Sequence, residues 1–274
     1  MNIKEVEINR DGLKIIAMIT MLIDHIGYYF IDIINTNIYY LCRVIGRISM
    51  PLFLYMLVQG FFYTKDLKKY ILRIFSLSVI TQIVIYITSL FDVRKNNLSV
   101  VTNLNIVFSF TLLLITFWLI HEKHIFKKIN GNWNLIIKML LLILIIMIYS
   151  FIPIDYGYNT LILGLIFYFI ERFKIIVYIN RNNNTLSMKG LLLSFVSEKN
   201  IKYTYILAII LSMIYIITNN ETTIYWYMLL SIIPIYLYNG ERGKKRKWIN
   251  IIYYSFFPIH HMLLYITSIM ILLK

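Results

Sequence analysis

The stretch LKIIAMITMLIDHIGYYFIDIINTNIYYLCRVIGRISMPLFLYMLVQG (13–60) decides the fold. Each of its two apolar halves is long enough to cross a bilayer, which takes about 20 residues in a helix. The first half nevertheless contains Asp24 and His25, and the second contains Arg43 and Arg47. A charge at the bilayer centre costs at least about 2.5–3.5 kcal/mol. We therefore expect the two spans, joined by a short polar turn, to face each other inside a helical bundle.

The composition is typical of a polytopic membrane protein. Of the 274 residues, 59% are hydrophobic and 15% are charged, whereas soluble domains carry about 25% charge. The first ten residues are polar and no small-residue cleavage site follows the first apolar run, so we expect that run to stay in the protein as a helix. The single cysteine, Cys42, excludes an internal disulfide and a cysteine-rich metal site. We expect residues 1–274 to form one integral-membrane domain.

Apolar windows predict an all-α bundle of about nine transmembrane helices. The predicted spans are 13–34, 41–63, 70–90, 104–121, 134–152, 160–178, 203–218, 223–239 and 249–273. Of the 27 Lys and Arg residues, 22 fall on the N-terminal side of this arrangement and three on the other side. Because cytoplasmic loops are enriched in Lys and Arg, we expect a cell-membrane protein with its N-terminus in the cytoplasm and its C-terminus outside. The net charge of +14 then reflects topology and contact with membrane lipids, and no nucleic acid is expected as a partner.

Two further features concern the loops and the glycines. The segment 173–200 is the longest predicted loop, and its part MKGLLLSFVSEKN (188–200) is interpreted as a short helix lying on the cytoplasmic surface. Gly46 and Gly60 are interpreted as sites of close approach between helices.

Polar residues from distant parts of the sequence fall at one depth of the predicted bundle. At about 1.5 Å per residue, Asp24 lies roughly 16 Å into its span, near the midplane. The band from the midplane to the outer surface also contains Arg43, Arg47, Asn105, Asp155, Tyr156 and His260. His261 follows His260, but neighbouring residues project about 100° apart on a helix, so we expect one of the two to reach the site. This shared depth predicts a functional site in the membrane.

Each of these residues also has a structural interpretation. Asp24 with Arg43 or Arg47 can be an ion pair that fixes helix packing, and His25 can be a core histidine. A second arginine and the histidines at the same level are left unexplained by a single ion pair. A histidine there can act as a general base or accept an acyl group, and the arginines can bind phosphates or stabilise an oxyanion. The alternatives are a proton-coupled transporter or flippase and a non-catalytic assembly factor.

The sequence resembles the TraX family, membrane proteins associated with N-terminal acetylation of conjugative pilin. The matching segments are LKIIAMITMLIDHIG (13–27), RVIGRISMPLFLYMLVQGFFYTKDLKKYILRI (43–74), NIVFSFTLLL (105–114), DYGYNTLILGL (155–165) and YYSFFPIHHMLL (253–264). The pairing of DHIG with GR-x-x-x-P-L-F is the most specific part. The family also looks related to broader membrane acyltransferases that use acyl-CoA. One departure is Gln59, which stands where a glutamate is expected in the family's EGF motif.

The resemblance implies an acetyltransferase that takes acetyl from acetyl-CoA and modifies a peptide or glycan acceptor outside the cytoplasm. It also implies that the polar residues named above match the polar positions that recur in the family. In the resulting hypothesis, the catalytic residues are His25, Asp24 and His260, and the substrate-binding residues are Arg43, Arg47, Asn105, Asp155 and Tyr156. Lys68 and Arg73, on the predicted cytoplasmic face, are expected to receive the phosphates of CoA. No metal is expected.

Overall fold

The computed structural model describes residues 7–91, 103–123, 125, 129–182, 205–206, 209–210, 223–241, 243 and 247–273. These residues are almost entirely helical. The helices are α1 (Arg10–Tyr29), α2 (Thr36–Gly46), α3 (Ser49–Tyr63), α4 (Leu67–Ser89), α5 (Ile106–His121), α6 (Gly131–Phe151), α7 (Gly157–Asn182), a 3-10 helix (Thr223–Ser231), α8 (Ile232–Leu237) and α9 (Lys247–Leu272). The β-type pairing among the described residues consists of two isolated bridges. The all-α prediction is confirmed.

The chain divides into two compact units. Unit 1 comprises Met1–Val58 with Ile166–Ile252, and unit 2 comprises Gln59–Leu165 with Tyr253–Lys274. The prediction of one domain over 1–274 stays a prediction.

In unit 1, the second predicted span is broken into two helices. α2 ends at Gly46 and α3 begins at Ser49, with a turn at Arg47 and Ile48 between them. Pro51 accounts for the break, because proline has no N–H to donate to the carbonyl of residue 47 and its ring crowds that carbonyl. The predicted span 41–63 had no such break, but Thr36–Tyr63 taken together is still long and apolar enough to span a membrane. The turn places Arg47 at the end of α2 instead of in the middle of a helix.

The start of α1 in unit 1 is fixed by a segment that is distant in sequence. Ile8 donates its N–H to the carbonyl of Leu237 (2.9 Å), and Asn239 donates to the carbonyl of Ile8 (3.0 Å). The side chain of Asn9 then caps α1 by accepting the N–H of Gly12 at 3.0 Å, which satisfies one of the free amides of the first turn. The entry to α1 is therefore tied to the exit from α8.

The 3-10 helix of unit 1 is unusually long, since 3-10 runs beyond three or four residues are uncommon. Residues three apart lie in a row on such a helix, and Met228 and Ser231 in one row are both fully buried. The Oγ of Ser231 donates to the carbonyl of Met228 at 2.6 Å. Tyr225 begins this row, so it lies on the inward side of the 3-10 helix.

In unit 2, α5 is the central helix and α6 is peripheral. Leu113, Leu114 and Phe117 of α5 are fully buried, and a Cβ on Gly164 of α7 would lie 2.2 Å from the side chain of Leu113. Most residues of α6 are exposed, and most of the exposed ones are apolar, for example Leu140. An apolar helix with an apolar exposed face is suited to contact with lipid.

Within the part of the chain that the structure describes, four helical stretches are long and apolar enough to span a membrane, namely Thr36–Tyr63, Leu67–Ser89, Gly131–Phe151 and Ile251–Leu272. Ile106–His121 and Ile224–Leu237 are shorter apolar helices. The chain is thus a helical membrane protein, while the count of nine spans and the orientation of the termini stay predictions. The predicted surface helix 188–200 and most of the predicted span 203–218 lie outside the described residues.

Candidate functional site

Two glycines bring α1 and α2 of unit 1 into close contact. A Cβ on Gly27 would lie 2.7 Å from the Cβ of Cys42. A Cβ on Gly46 would lie 2.1 Å from Oδ1 of Asp24. Neither position has room for a larger residue, so the two helices approach to backbone distance. This confirms the interpretation of Gly46 as a site of close helix approach.

At this contact, both oxygens of one carboxylate are paired with arginine. Arg43 donates from Nη1 to Oδ2 of Asp24 at 2.8 Å, and Arg47 donates from Nη2 to Oδ1 at 3.0 Å. The side chains of Asp24, Arg43 and Arg47 are 10%, 20% and 4% exposed. The expectation that spans one and two face each other through these charges is confirmed. We call Asp24, Arg43 and Arg47 the ionic cluster.

The ionic cluster carries an excess of positive charge in a region shielded from solvent. Among the residues that the structure describes, two guanidinium groups face one carboxylate here, and arginine stays protonated in proteins. Shielded charge is costly unless it is paired, so the excess favours an anion as a further partner. Phosphate, carboxylate and the oxyanion of acyl transfer all fit a guanidinium. The cluster is therefore more than a neutral ion pair between helices.

His25 follows Asp24 on α1 and is half-buried. Its ring meets that of Tyr29 edge-on, with the ring centroids 6.3 Å apart. Successive residues of a helix project about 100° apart, so His25 and Asp24 leave α1 in different directions. With both Asp24 oxygens bonded to arginine, the clearest role of Asp24 is to hold the arginines. The catalytic role of His25 stays a prediction.

In unit 2, Asn105 joins two helices. Its Oδ1 accepts the N–H of Val107 at 3.1 Å and thereby caps α5. Its Nδ2 donates to the carbonyl of Ser78 (3.0 Å) and to Oε1 of Gln82 (2.9 Å) on α4. These bonds occupy the side chain of a residue that is 3% exposed, and they fasten α4 to α5. Substrate binding by Asn105 stays a prediction.

Asp155 and Tyr156 form the turn before α7, and this turn lies beside the start of α5. Leu104 pairs with Ile154 in a parallel bridge, with the N–H of Asp155 donating to the carbonyl of Leu104 at 3.0 Å. Tyr156 has a φ of 61°, a left-handed conformation that costs a non-glycine residue about 1–2 kcal/mol. Unit 2 therefore brings the predicted residues Asp155 and Tyr156 close in space to the segment that contains Asn105.

His260 and His261 lie together on α9, within unit 2. Nδ1 of His260 lies 2.7 Å from the carbonyl oxygen of Phe256, and the two rings stack with centroids 4.8 Å apart. Because a carbonyl can only accept, this contact requires a proton on Nδ1, and in that neutral tautomer the lone pair is on Nε2. The rings of His260 and His261 have centroids 4.5 Å apart, and both residues are buried. Nε2 of His260 is chemically suited to accept a proton or an acyl group.

Lys68 and Arg73, the predicted contacts for CoA, are exposed residues near the start of α4. Arg73 donates from Nε to the carbonyl of Lys69 at 3.2 Å. Asp66 caps this helix by accepting the N–H of Lys69 at 3.0 Å. That backbone hydrogen bond, together with the hydrogen-bonded Lys69 side chain, lowers the pKa of Asp66 below its usual value. This end of α4 carries several cations in contact with solvent, and the role of Lys68 and Arg73 in cofactor binding stays a prediction.

Sequence reasoning missed two residues of unit 1 that contact charged groups. Tyr225 lies with its ring centroid 5.3 Å from the guanidinium carbon of Arg47. Glu171 is fully buried and accepts from the hydroxyl of Tyr205 at 2.5 Å, with Nζ of Lys174 at 3.5 Å. An acidic residue inside an apolar run was a signal for Glu171. No comparable signal marked Tyr225, since tyrosines are frequent near span ends.

The apolar helices and the shielded ionic cluster define a class: a helical membrane protein with ionisable groups in its interior. The comparisons with known proteins narrow this class. Residues 9–268 match the sequence model described as TraX protein, and the chain belongs to the TraX family. The recognition made from the sequence is confirmed.

A curated relative also matches part of the chain. It is the probable fimbrial assembly protein FimC, serogroup H1, of Dichelobacter nodosus, 34% identical over 80 residues. The match covers 29% of this chain and 32% of the relative, so the chain spans about a third of that protein. No solved structure matches.

Proposed function

We propose that this protein is an acyltransferase of the cell membrane that transfers acetyl from acetyl-CoA to an amine or hydroxyl outside the cytoplasm. The observation that carries the proposal is the ionic cluster, in which Arg43 and Arg47 exceed the charge of Asp24. A net positive group inside a membrane protein suits the anionic parts of this reaction, which are the phosphates of the donor and the oxyanion of the transition state.

The reaction needs a base and an anion-stabilising group. The acceptor nitrogen or oxygen attacks the thioester carbonyl, a new bond to carbon forms, and the carbon–sulfur bond breaks. A histidine takes the proton of the attacking group and returns it to the departing thiolate, so CoA leaves as the thiol. His25 and Nε2 of His260 are the two candidates for this base. The covalent alternative is transient acetylation of one of these rings.

The family and the relative support the choice of acceptor. The resemblance to TraX proteins implies acetylation of a pilin N-terminus, and the name of the relative refers to fimbrial assembly. We propose a pilin-like N-terminus as the acceptor, with a cell-surface glycan as the other candidate. Lys68 and Arg73 are proposed to give the donor phosphates their first contact at the cytoplasmic face, before the donor reaches the ionic cluster.

The test uses the full chain purified in detergent or nanodiscs with acetyl-CoA labelled in the acetyl group. We expect label transfer to acceptor-containing membranes, and we expect His25→Ala or His260→Ala to abolish it without loss of folding. His121→Ala is the matched control, since His121 is exposed at the end of α5. Mass spectrometry of surface proteins and glycans from cells with and without the gene identifies the acceptor.

Different results separate the proposal from its rivals. If both histidine variants keep full turnover, the catalytic assignment is wrong. If the wild-type chain transfers no label, the enzyme proposal is wrong. If alanine substitutions in the ionic cluster lower thermal stability and biological function in parallel, a non-catalytic assembly factor is favoured.

One observation favours a second candidate, a proton-coupled transporter or flippase. Glu171 is a fully buried carboxylate on α7, bonded to the Tyr205 hydroxyl. Ionisable residues of this kind inside membrane proteins are frequent in proton pathways. A transporter predicts substrate flux that depends on a pH gradient and on Glu171, with no covalent product.

A further inference from the structure

The two arginines of the ionic cluster differ in their hydrogen bonds and exposure, although each guanidinium lies over an aromatic ring, with the Tyr28 ring 5.7 Å from that of Arg43. Arg47 donates from Nη2 to Asp24 and from Nε to the carbonyl of Arg43 at 3.2 Å, and the ring of Tyr225 covers its guanidinium at 5.3 Å. Its side chain is 4% exposed, whereas that of Arg43 is 20% exposed. Among the described residues, Asp24 is the one hydrogen-bond acceptor for the guanidinium of Arg43. Arg47 is thus fixed in place, while Arg43 keeps N–H donors for a ligand.

We propose that Arg43 is the arginine that contacts an anionic group of the substrate, and that Tyr225 is a positioning residue that holds Arg47 against Asp24. The inference rests on the proposed function and divides its site into a binding arginine and a supporting arginine. The ligand chemistry is a phosphate or carboxylate, because a guanidinium binds both through paired, parallel hydrogen bonds. The phosphates of CoA and an anionic group of the acceptor are the two possible sources.

Asp24 transmits the effect of Tyr225 to Arg43. One oxygen of Asp24 accepts from Arg47 and the other accepts from Arg43, so the position of Arg47 sets the orientation of the carboxylate and hence that of Arg43. Without an aromatic face over Arg47, its guanidinium loses a cation–π partner in a shielded environment, where such contacts are strongest. Arg43 then loses part of its preorganisation for the ligand.

The 3-10 helix supplies this aromatic face. Tyr225 lies in the same row as Met228 and Ser231, which are fully buried. A second contact fastens the helix to α2, since the ring of Tyr227 meets that of Tyr40 edge-on with centroids 6.4 Å apart. The position of Tyr225 is therefore determined by buried neighbours and by a separate contact with α2.

The experiment compares conservative variants in the purified full chain. Arg43→Lys keeps the positive charge but removes the paired donors, and we expect the Kd for CoA or the KM for the acceptor to rise about tenfold. Tyr225→Leu should raise the same constant about threefold, and Tyr225→Phe should restore it because phenylalanine keeps the aromatic face. Trp226→Leu, at an exposed position of the same helix, is the control and should have no effect.

Two additional measurements complete the design. The Kd for CoA is measured without turnover, so it reports on the binding site even if acetyl transfer is absent. A rise in the Kd for CoA identifies the donor phosphates as the ligand, and a rise confined to the KM for the acceptor identifies the acceptor. In an Arg47→Lys background, Tyr225→Leu should add no further change, because the two residues act through one contact.

The inference is overturned if Arg43→Lys and Tyr225→Leu leave both constants at their wild-type values. It is also overturned if Tyr225→Leu raises the Kd or KM by the same factor in the Arg47→Lys background, since Tyr225 would then act through a contact other than Arg47. A wild-type chain that binds CoA in an Arg43-dependent way but transfers no acetyl would disprove the proposed function and leave the binding inference intact.

Discussion

Asp24 and Gly46 illustrate how one missing side chain permits a charge cluster. The carboxylate of Asp24 occupies the space next to the Gly46 backbone, where a Cβ would lie 2.1 Å from Oδ1. In Gly46→Ala, the carboxylate or the helix has to move, and both guanidinium contacts depend on that carboxylate. Overpacking of this kind costs about 1–3 kcal/mol. We expect a lower thermal unfolding temperature in detergent and a loss of activity.

The control for this variant is Gly131→Ala, at an exposed position at the start of α6. It should leave thermal stability close to that of the wild type. A Gly46→Ala protein with unchanged stability and activity would show that α1 and α2 do not pack as closely as described.

At the residue scale, the sequence predicted the ionic cluster but not the residues that support it. Asp24, Arg43 and Arg47 were recognisable because charges in apolar spans are costly and need partners. Tyr225 was not, because its contact with Arg47 depends on the 3-10 path of residues 223–231, whose three-residue rows differ from the pattern of an α-helix. The bonds of Asn105 to Ser78 and Gln82 were not predicted from the sequence, since these uncharged residues do not demand a partner in an apolar span as strongly as a charge does.

At the scale of helices, Asn105 provides a prediction that separates capping from substrate binding. Asn105→Ala removes the cap of α5 and two bonds to α4. Loss of a cap costs about 1 kcal/mol, and buried groups left without partners cost about 1–3 kcal/mol more. We expect a clear fall in the thermal unfolding temperature of the purified protein. The exposed Asn132 of α6, changed to alanine, is the control.

Stability and kinetics together decide between the two roles of Asn105. A stable Asn105→Ala protein with a raised KM would favour the substrate-binding hypothesis over the structural one. A destabilised protein whose folded fraction has the wild-type KM would assign Asn105 to the α4–α5 contact alone.

The boundaries of the elements were harder to predict than their existence. The apolar run at 41–60 correctly indicated helix, but the break at Arg47 and Ile48 depends on Pro51, three residues inside the following helix. Hydropathy does not report this effect, because proline and its neighbours are all compatible with an apolar environment. The break matters for function, since it places Arg47 at a helix end where Nε reaches the carbonyl of Arg43.

At the scale of the molecule, the distribution of basic residues predicts how the chain is oriented in the membrane, which the helices alone do not establish. Among the described residues, four stretches are long and apolar enough to span a membrane, whereas 22 of 27 basic residues in the sequence fall on one side of a nine-span arrangement. An even number of spans would put both termini on the same side of the membrane, whereas nine spans put them on opposite sides. Because cytoplasmic loops retain Lys and Arg, the nine-span arrangement predicts that Lys68 faces the cytoplasm while Asp155 and Leu273 face outward.

Labelling of single cysteines tests this topology directly, and the chain is convenient for it because Cys42 is its one cysteine. In a Cys42→Ser background, Asp155→Cys and Leu273→Cys should react with a membrane-impermeant maleimide in intact cells. Lys68→Cys should react only after the cells are permeabilised, so that the maleimide reaches the cytoplasmic face. All three positions are exposed in the structure, so failure to react reflects the side of the membrane and not burial in protein. Reaction of Lys68→Cys in intact cells would reverse the orientation, and it would remove Lys68 and Arg73 from the compartment that contains acetyl-CoA.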